Sequence, residues 1–228
     1  MKPCRKAAAM LDVIVFANQK GGAGKTTLAA HLSVEAAKAG RRVALVDTDS
    51  QGSLSAWWNA SKRDNPAFVR ATLGNLQRDL RAVEKSGFDL VIVDTRGAIA
   101  DDIVEAVKVA TLTVIPTRPS PLDLRAVGRT IDILKSERKP FAFVVNAALP
   151  QLNARSTIQT LISLSKHGPV LEPVVHQLGV FAESMTNGET AGEYSPKHKA
   201  ADEVAQLWVS VSEQLAQLRK PATAAKAS

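Results

Sequence analysis

A glycine-rich segment near the start of the chain restricts its fold more than any other feature. Residues 13–18 form an apolar pattern typical of a strand, glycine fills three of the four positions in 21–24, and Lys25 opens a helical pattern. Strand, loop and helix in this order direct backbone N–H groups and the positive end of the helix at an anion. We therefore expect a phosphate-binding loop in which Lys25 reaches the β and γ phosphates and Thr26 holds Mg²⁺ through its hydroxyl.

The rest of the chain alternates short apolar runs with amphipathic stretches. This alternation predicts a single-domain α/β fold with a mostly parallel, twisted β-sheet flanked by helices. Pro173 lacks an N–H to donate, so the last strand is expected at an edge of the sheet. Strands are predicted at 13–18, 42–47, 90–94, 111–116, 141–146 and 170–177, and helices at 25–39, 73–85, 100–109, 122–135, 156–166 and 196–219.

The two ends of the chain differ in composition from its centre. Residues 1–11 form a short basic extension, and the alanine-rich tail at 221–228 is expected to be disordered. The predicted P-loop ATPase domain lies between them, at 12–220. The single cysteine, Cys4, permits no internal disulfide, which fits a cytoplasmic location. No apolar run approaches the roughly 20 residues of a membrane span, so we expect no stable membrane insertion.

The glycine-rich loop departs from the ordinary P-loop pattern at its start. That pattern places a glycine at position 19, whereas this chain has Gln19 followed by Lys20. The segment resembles the deviant Walker A motif of the ParA/MinD family of P-loop ATPases (the SIMIBI type of P-loop NTPase), and within that family the small ParF-like plasmid partition ATPases. The resemblance implies these nucleotide-binding residues: Lys20, Gly21, Gly22, Ala23, Gly24, Lys25, Thr26 and Thr27.

Lys20 is the additional lysine of this motif. In the family it crosses a dimer interface to the phosphates of the partner, so the resemblance implies a homodimer in the ATP-bound state. A second cation on the phosphates stabilises the charge that develops during phosphoryl transfer. The catalytic residues implied are Lys20, Lys25 and Asp49.

Aspartates end two further apolar strands. Asp47 and Asp49 follow the run 42–46, and Asp94 ends the run 90–93. Carboxylates at the carboxyl ends of parallel strands lie where such sheets bind ligands. The metal ligands predicted are Thr26, Asp47 and Asp94, with Asp47 near the Mg²⁺ shell by resemblance and Asp94 holding Mg²⁺ through water. By the same resemblance, Asp49 orients the attacking water. Arg96 could contact the nucleotide, the dimer partner or only solvent.

Two segments near the predicted base site carry less specific signals. Asn146 resembles by position the asparagine that reads the base in the family, although a strand-end cap explains it equally well. A GTPase of the N-K-x-D type would continue differently after Asn146, so we expect adenine rather than guanine. Pro116 opens a proline-rich turn that borders the nucleotide and the dimer interface in the relatives.

The chain carries a formal net charge of +7. Such an excess favours a polyanionic partner, although it also serves ordinary solubility. In ParA-type dimers basic helices form a surface for DNA of any sequence, and the phosphate contacts alone suffice for it. The residues predicted for this surface are Arg125, Arg129, Lys197, Lys199, Arg219 and Lys220.

The function implied by the resemblance is a ParA-type partition or positioning ATPase with ATP and Mg²⁺ as its cofactors. Its partners would be non-specific DNA and a ParB-like or other adaptor that stimulates hydrolysis, and its location would be cytoplasmic and nucleoid-associated. Two alternatives remain: a MinD-like spatial regulator at the membrane, and an amidoligase or synthetase of related fold. A nitrogenase-type iron protein is excluded, because it needs paired cysteines.

Overall fold

The structure, a computed structural model, describes residues 10–97, 100–150 and 154–220. The predicted tail and nearly all of the predicted basic extension, including Cys4, lie outside these residues. No helix among them has both the length and the apolar character needed to cross a membrane.

The described residues form one seven-stranded sheet in which every pairing is parallel. The strand order is β3-β2-β4-β1-β5-β6-β7, so the first strand lies at the centre. The carboxyl ends of all strands therefore meet along one edge, where open α/β sheets bind ligands. The strands are β1 (Asp12–Phe16), β2 (Val43–Asp47), β3 (Ala67–Phe68), β4 (Leu90–Asp94), β5 (Leu112–Thr117), β6 (Phe141–Val145) and β7 (Val170–Leu171).

Helices cover both faces of the sheet. In β1, Ile14 and Phe16 belong to one buried apolar cluster, whereas Val13 and Val15 belong to another on the opposite face. This arrangement explains why the central strands are continuous apolar runs rather than alternating ones. The helices are α1 (Lys25–Lys38), α2 (Ser53–Ala60), α3 (Leu76–Lys85, preceded by a 3-10 turn at Leu73–Asn75), α4 (Ala100–Lys108), α5 (Pro121–Ser136), α6 (Ala154–Ser165), α7 (Gly179–Thr186), α8 (Ala191–Tyr194) and α9 (Lys199–Arg219).

The predicted fold class is confirmed, and four short elements were missed: α2, β3, α7 and α8. The predicted last strand does occupy an edge, but it ends at Leu171 rather than at residue 177. Beyond Pro173 only an isolated bridge between Ala148 and His176 continues the pairing. The last helix begins at Lys199 rather than at Pro196, because His198 caps it by accepting a hydrogen bond from the Ala200 N–H.

A buried carboxylate joins the last helix to the first strand. Asp12, at the start of β1, accepts hydrogen bonds from Arg41 at 2.9 Å and from Nε of Arg219 at 3.1 Å. Arg219 also donates to the carbonyl oxygen of Met10. The end of α9 is thereby fixed at the amino edge of the sheet, opposite the phosphate loop.

Candidate nucleotide site

The loop between β1 and α1 has the conformation that an anion site needs. Gly22 and Gly24 have φ values of +71° and +93°, which residues other than glycine rarely adopt. Gly24 precedes the first residue of α1, and neither a capping side chain nor an acidic residue occupies the first turn. Because no capping or acidic side chain of this first turn competes for the positive helix end, this end can accept a phosphate.

Two asparagines fix the loop: one follows β1 and the other follows β6, on the far side of β5. Asn18 is buried, its Oδ1 accepts from the Lys20 N–H at 2.9 Å, and its Nδ2 donates to the Pro116 carbonyl at 2.7 Å. Asn146 donates from Nδ2 to the Ala23 carbonyl at 2.8 Å. Its amide also stands beside Gly24, where any Cβ would overlap it. Pro116 and Asn146 therefore both lie against the loop, and their contacts with a nucleotide stay predictions.

Lys25 is buried at the start of α1. A Cβ built on Gly97, just past β4, would lie 2.8 Å from its Nζ, so the amine sits against the backbone of that turn. Burial lowers the pKa of Lys25, while the charges of Asp94 and Asp49 act in the opposite direction. A bound phosphate would favour the charged amine further.

Thr26 and Asp94 form the centre of the site. The Thr26 hydroxyl donates to Asp94 Oδ2 at 2.5 Å, and Asp94 is 1% exposed. Its Oδ1 is buried without any hydrogen-bond partner in the described chain. Burial, assisted by the nearby charge of Asp47 and opposed by the hydrogen bond from Thr26, raises the pKa of Asp94 to about 7. A buried, unpaired carboxylate oxygen beside a hydroxyl is a donor set that suits a hard divalent cation such as Mg²⁺.

Asp47 and Asp49 have different environments although only Thr48 lies between them. Both oxygens of Asp47 accept backbone N–H groups, from Asp49 and from Ser55, each at 3.0 Å. Burial raises the pKa of Asp47. Asp49 is partly exposed, and its Oδ1 accepts from the Gln51 N–H at 2.9 Å. Asp47 therefore stabilises the turn before α2, whereas Asp49 is partly open to solvent at the carboxyl edge of the sheet.

Two clefts open at the carboxyl edge on either side of the loop. The first, of about 830 Å³, contains the loop glycines and the end of β6, and it has the size of a small-ligand site. The second, of about 730 Å³, contains Asp47 and Asp49. The first cleft is lined by Gly22, Gly24, Thr26, Thr27, Leu28, Ser53, Arg118, Asn146, Ala147, Leu149, residues 175–179, Phe181, Ala182 and Met185.

The predicted basic residues are distributed over separate surfaces. Arg125 and Arg129 are exposed on one face of α5, and they have no ion-pair partner in the described chain. Lys199 pairs with Glu203 at 3.2 Å, and Arg219 with Asp12, so part of their charge is offset within the protein. Lys20, Lys197 and Lys220 also lack ion-pair partners in the described ranges; Lys20 is half-buried and the other two are exposed.

Sequence reasoning missed Asn18 and Arg118 as parts of the site. Asn18 had a recognisable signal, because it is the first polar residue after β1 and shortly precedes the glycines. Arg118 follows β5 and pairs with Asp123 at 3.0 Å. The capping pattern from Ser120 to Asp123 predicts the start of α5 but does not show where Arg118 points.

Comparison with known proteins places this site in a family. A family model described as the CobQ/CobB/MinD/ParA nucleotide binding domain matches residues 14–191. The chain belongs to this family. The resemblance to the ParA/MinD ATPases that the loop predicted is thereby confirmed.

Individual relatives cover most of the chain. Maintenance of carboxysome distribution protein A of Halothiobacillus neapolitanus is 30% identical over 204 residues, which are 85% of this chain and 93% of that protein. Protein ParA of Rhizobium radiobacter is 28% identical over 72% of this chain and 77% of its own length. The septum site-determining protein MinD of Pyrococcus horikoshii, complexed with Mg-ADP, matches with a TM-score of 0.73 at 20% identity, covering 93% of this chain and 100% of that chain. That structural likeness establishes the fold.

Proposed function

We propose that this chain is an Mg²⁺-dependent ATPase that partitions or positions a cargo by cycling between a DNA-bound ATP dimer and a released form. The observation that carries the proposal is the hydrogen bond between the half-buried Thr26 and the buried Asp94 beneath a glycine loop with an uncapped helix end. Membership in the CobQ/CobB/MinD/ParA family and the names of two relatives, one for carboxysome distribution and one for ParA, support it.

The residues present fit a magnesium ion. Thr26 and Asp94 would hold it, since Asp94 Oδ1 is unpaired among the described residues. Asp47 would act from farther out, because both its oxygens already accept backbone N–H groups. When bound, Mg²⁺ neutralises phosphate charge and orients the phosphate oxygens. The MinD structure of Pyrococcus horikoshii contains Mg-ADP.

Charges and donors of the chain itself would carry the rest of the reaction. The buried amine of Lys25 places a cation at the phosphates, and the helix start supplies aligned N–H groups. Asp49 Oδ2 has no hydrogen-bond partner among the described residues, so it is free to orient the attacking water. β2 and β4 are neighbours, with Asp47 paired in register to Asp94. The turns that carry Asp49 and Gly97 would therefore both lie at the phosphate that the loop binds.

Hydrolysis by one subunit alone would be slow, because the site lacks a second cation. Lys20 supplies it in our proposal by reaching the phosphates of a second copy of the chain. Its side chain makes no ion pair within the described protein and is therefore available. An adaptor of the ParB type would then stimulate turnover and release the dimer from DNA, in the cytoplasm at the nucleoid.

DNA binding requires basic side chains that are exposed and not already paired within the protein. Arg125 and Arg129 are the best candidates, because both are exposed, unpaired in the described chain and one turn apart on α5. The start of α5 adjoins the carboxyl end of β5, close to the nucleotide cleft. Arg219 lies at the opposite edge and is paired with Asp12, so it is a weaker candidate.

The deciding experiment measures mass and DNA binding of the full chain in Mg-ATP and in Mg-ADP. Analytical ultracentrifugation should show a dimer with ATP and a monomer with ADP, and only the ATP form should bind plasmid DNA of arbitrary sequence. Lys20→Ala should weaken the dimer, whereas Lys62→Ala, which removes an exposed lysine after α2, should not. A chain that stays monomeric and does not bind DNA in ATP would overturn the proposal.

A further inference from the structure

Arg118 is held in a fixed orientation at the carboxyl end of β5. Its Nε donates to Asp123 Oδ1 at 3.0 Å and its Nη2 to Asp123 Oδ2 at 3.4 Å. Asp123 is 2% exposed and also accepts a hydrogen bond from the Ser120 hydroxyl. Two of the three guanidinium nitrogens are thus committed to a buried carboxylate, which fixes the plane of the group.

The third nitrogen of this guanidinium, Nη1, has no acceptor among the residues that the structure describes. It faces the phosphate loop, since a Cβ built on Gly22 would lie 3.9 Å from it. Arg118 also lines the same cleft as Gly24, Thr26 and Asn146. An oriented charged donor without an acceptor thus stands beside the loop that is shaped to receive an anion.

We propose that Arg118 is a nucleotide-contacting residue that binds a phosphate group of the nucleotide in its own subunit, with Asp123 as its positioning residue. This inference rests on the nucleotide binding proposed above and deepens it. Arginine suits the role because its planar group can bond a carboxylate on one side and a phosphate on the other.

The contribution of Arg118 comes from aligned donors more than from net charge. Asp123 balances the arginine charge, so the pair is neutral as a whole, but it leaves the N–H groups of Nη1 pre-oriented toward the loop. Charge-assisted hydrogen bonds of this kind change affinity roughly tenfold or more. The competing interpretation is structural: the pair only fixes the first turn of α5.

Titration of the full chain with a fluorescent N-methylanthraniloyl ADP in Mg²⁺ buffer separates these interpretations. Arg118→Gln should raise the dissociation constant for ADP roughly tenfold or more. Arg118→Lys should also lose affinity, because it keeps the charge but not the planar group that Asp123 orients. Arg81→Gln, an exposed arginine on α3, is the matched control and should bind like the unmodified chain. The inhibition constant of adenosine, which lacks phosphate, should be the same in all variants.

Asp123→Asn provides an independent test of the positioning role. It should weaken ADP binding in the same direction, and the double variant with Arg118→Gln should be no weaker than Arg118→Gln alone. If folded Arg118→Gln binds ADP as tightly as the unmodified chain, the inference is overturned. It is also overturned if Arg118→Gln loses adenosine binding by the same factor as ADP binding. If the unmodified chain fails to bind ADP, the proposed function itself falls, and this inference with it.

Discussion

The side-chain amide of Asn146 donates a hydrogen bond of 2.8 Å to the carbonyl oxygen of Ala23 and occupies the space beside Gly24. The end of β6 therefore supports the middle of the phosphate loop from across β5. The sequence leaves open whether Asn146 reads the base or caps the strand end; in the structure its side chain holds the loop. Substitutions at either end of this contact should affect both stability and nucleotide affinity.

Gly24→Ala should destabilise the fold and weaken ATP binding. The left-handed φ of Gly24 costs a residue with a Cβ about 1–2 kcal/mol, and the overlap with Asn146 adds to that cost. Urea unfolding should show the loss. Gly21→Ala should be nearly neutral in the same assay, because its Cβ would meet nothing within 4 Å. Gly24→Ala should lower the free energy of unfolding less in an Asn146→Ala background, because the part of the loss that comes from the overlap disappears. An equal loss in both backgrounds would contradict the contact.

Asp47→Ala should lower the stability of the fold, whereas Asp49→Ala should lower the rate of ATP hydrolysis. Asp47→Ala leaves two backbone N–H groups without their acceptor, which should cost about 1–3 kcal/mol in the free energy of unfolding. Asp49→Ala should leave stability nearly unchanged, abolish hydrolysis and keep the ATP form on DNA. Thermal melts and phosphate release would measure both effects. Rapid release of Asp49→Ala from DNA would contradict the assigned role.

The pair Arg125→Glu and Arg129→Glu should weaken binding to DNA of every sequence alike. Loss of two phosphate contacts should lower the slope of log affinity against log salt by about 2. The matched control is Arg78→Glu with Arg81→Glu on α3, which makes the same charge change on another exposed helix. Fluorescence anisotropy with labelled duplex DNA in ATP measures both. Equal loss in the control would show that net charge alone matters.

His31 should make the protein less stable at acidic pH. The ring is buried, accepts a hydrogen bond at Nε2 from the Ala191 N–H, and contacts the Thr27 carbonyl at 2.8 Å through Nδ1, so it folds as the neutral form. Burial lowers its pKa from 6.5 to about 4. Because the folded pKa lies below the unfolded one, this stability is complete above about pH 6.5 and is lost as the pH falls toward 4.

The loss should amount to about 2 kcal/mol between pH 7.5 and pH 5. Urea unfolding of the unmodified chain and of His31→Gln at both values measures it as the difference between their pH dependences. Glutamine can donate and accept at this position without titrating. Identical pH dependence in the two proteins would show that His31 is not held neutral.

Long, strongly patterned elements could be predicted from the sequence, and short ones could not. The apolar run that forms β4 was predicted with its observed bounds. In contrast, α2 has no capping side chain of its own at its start, and its first turn is held instead by the carboxylate of Asp47. Such a helix depends on a distant residue, so local propensity does not reveal it.

The same distinction applies to the site. The order of strand, glycines and Lys25 predicts a phosphate loop because the motif is contiguous. The contact of Asn146 with Ala23 spans 123 residues. The orientation of Arg118 depends on how a proline-rich turn places it beside Gly22 of the phosphate loop. Contacts of this kind arise from strand order, which the sequence left open. The roles of the predicted site residues in binding and catalysis stay predictions.

The hydrogen bonds of Arg219 to Asp12 and Met10 have a practical consequence for imaging this protein in cells. The chain enters β1 and leaves α9 at the amino edge of the sheet, whereas the glycine loop lies at the carboxyl edge. A fluorescent fusion attached beyond either position starts on the far side of the molecule from the cleft. Such fusions should report where the protein goes without blocking the surface at which two copies would meet.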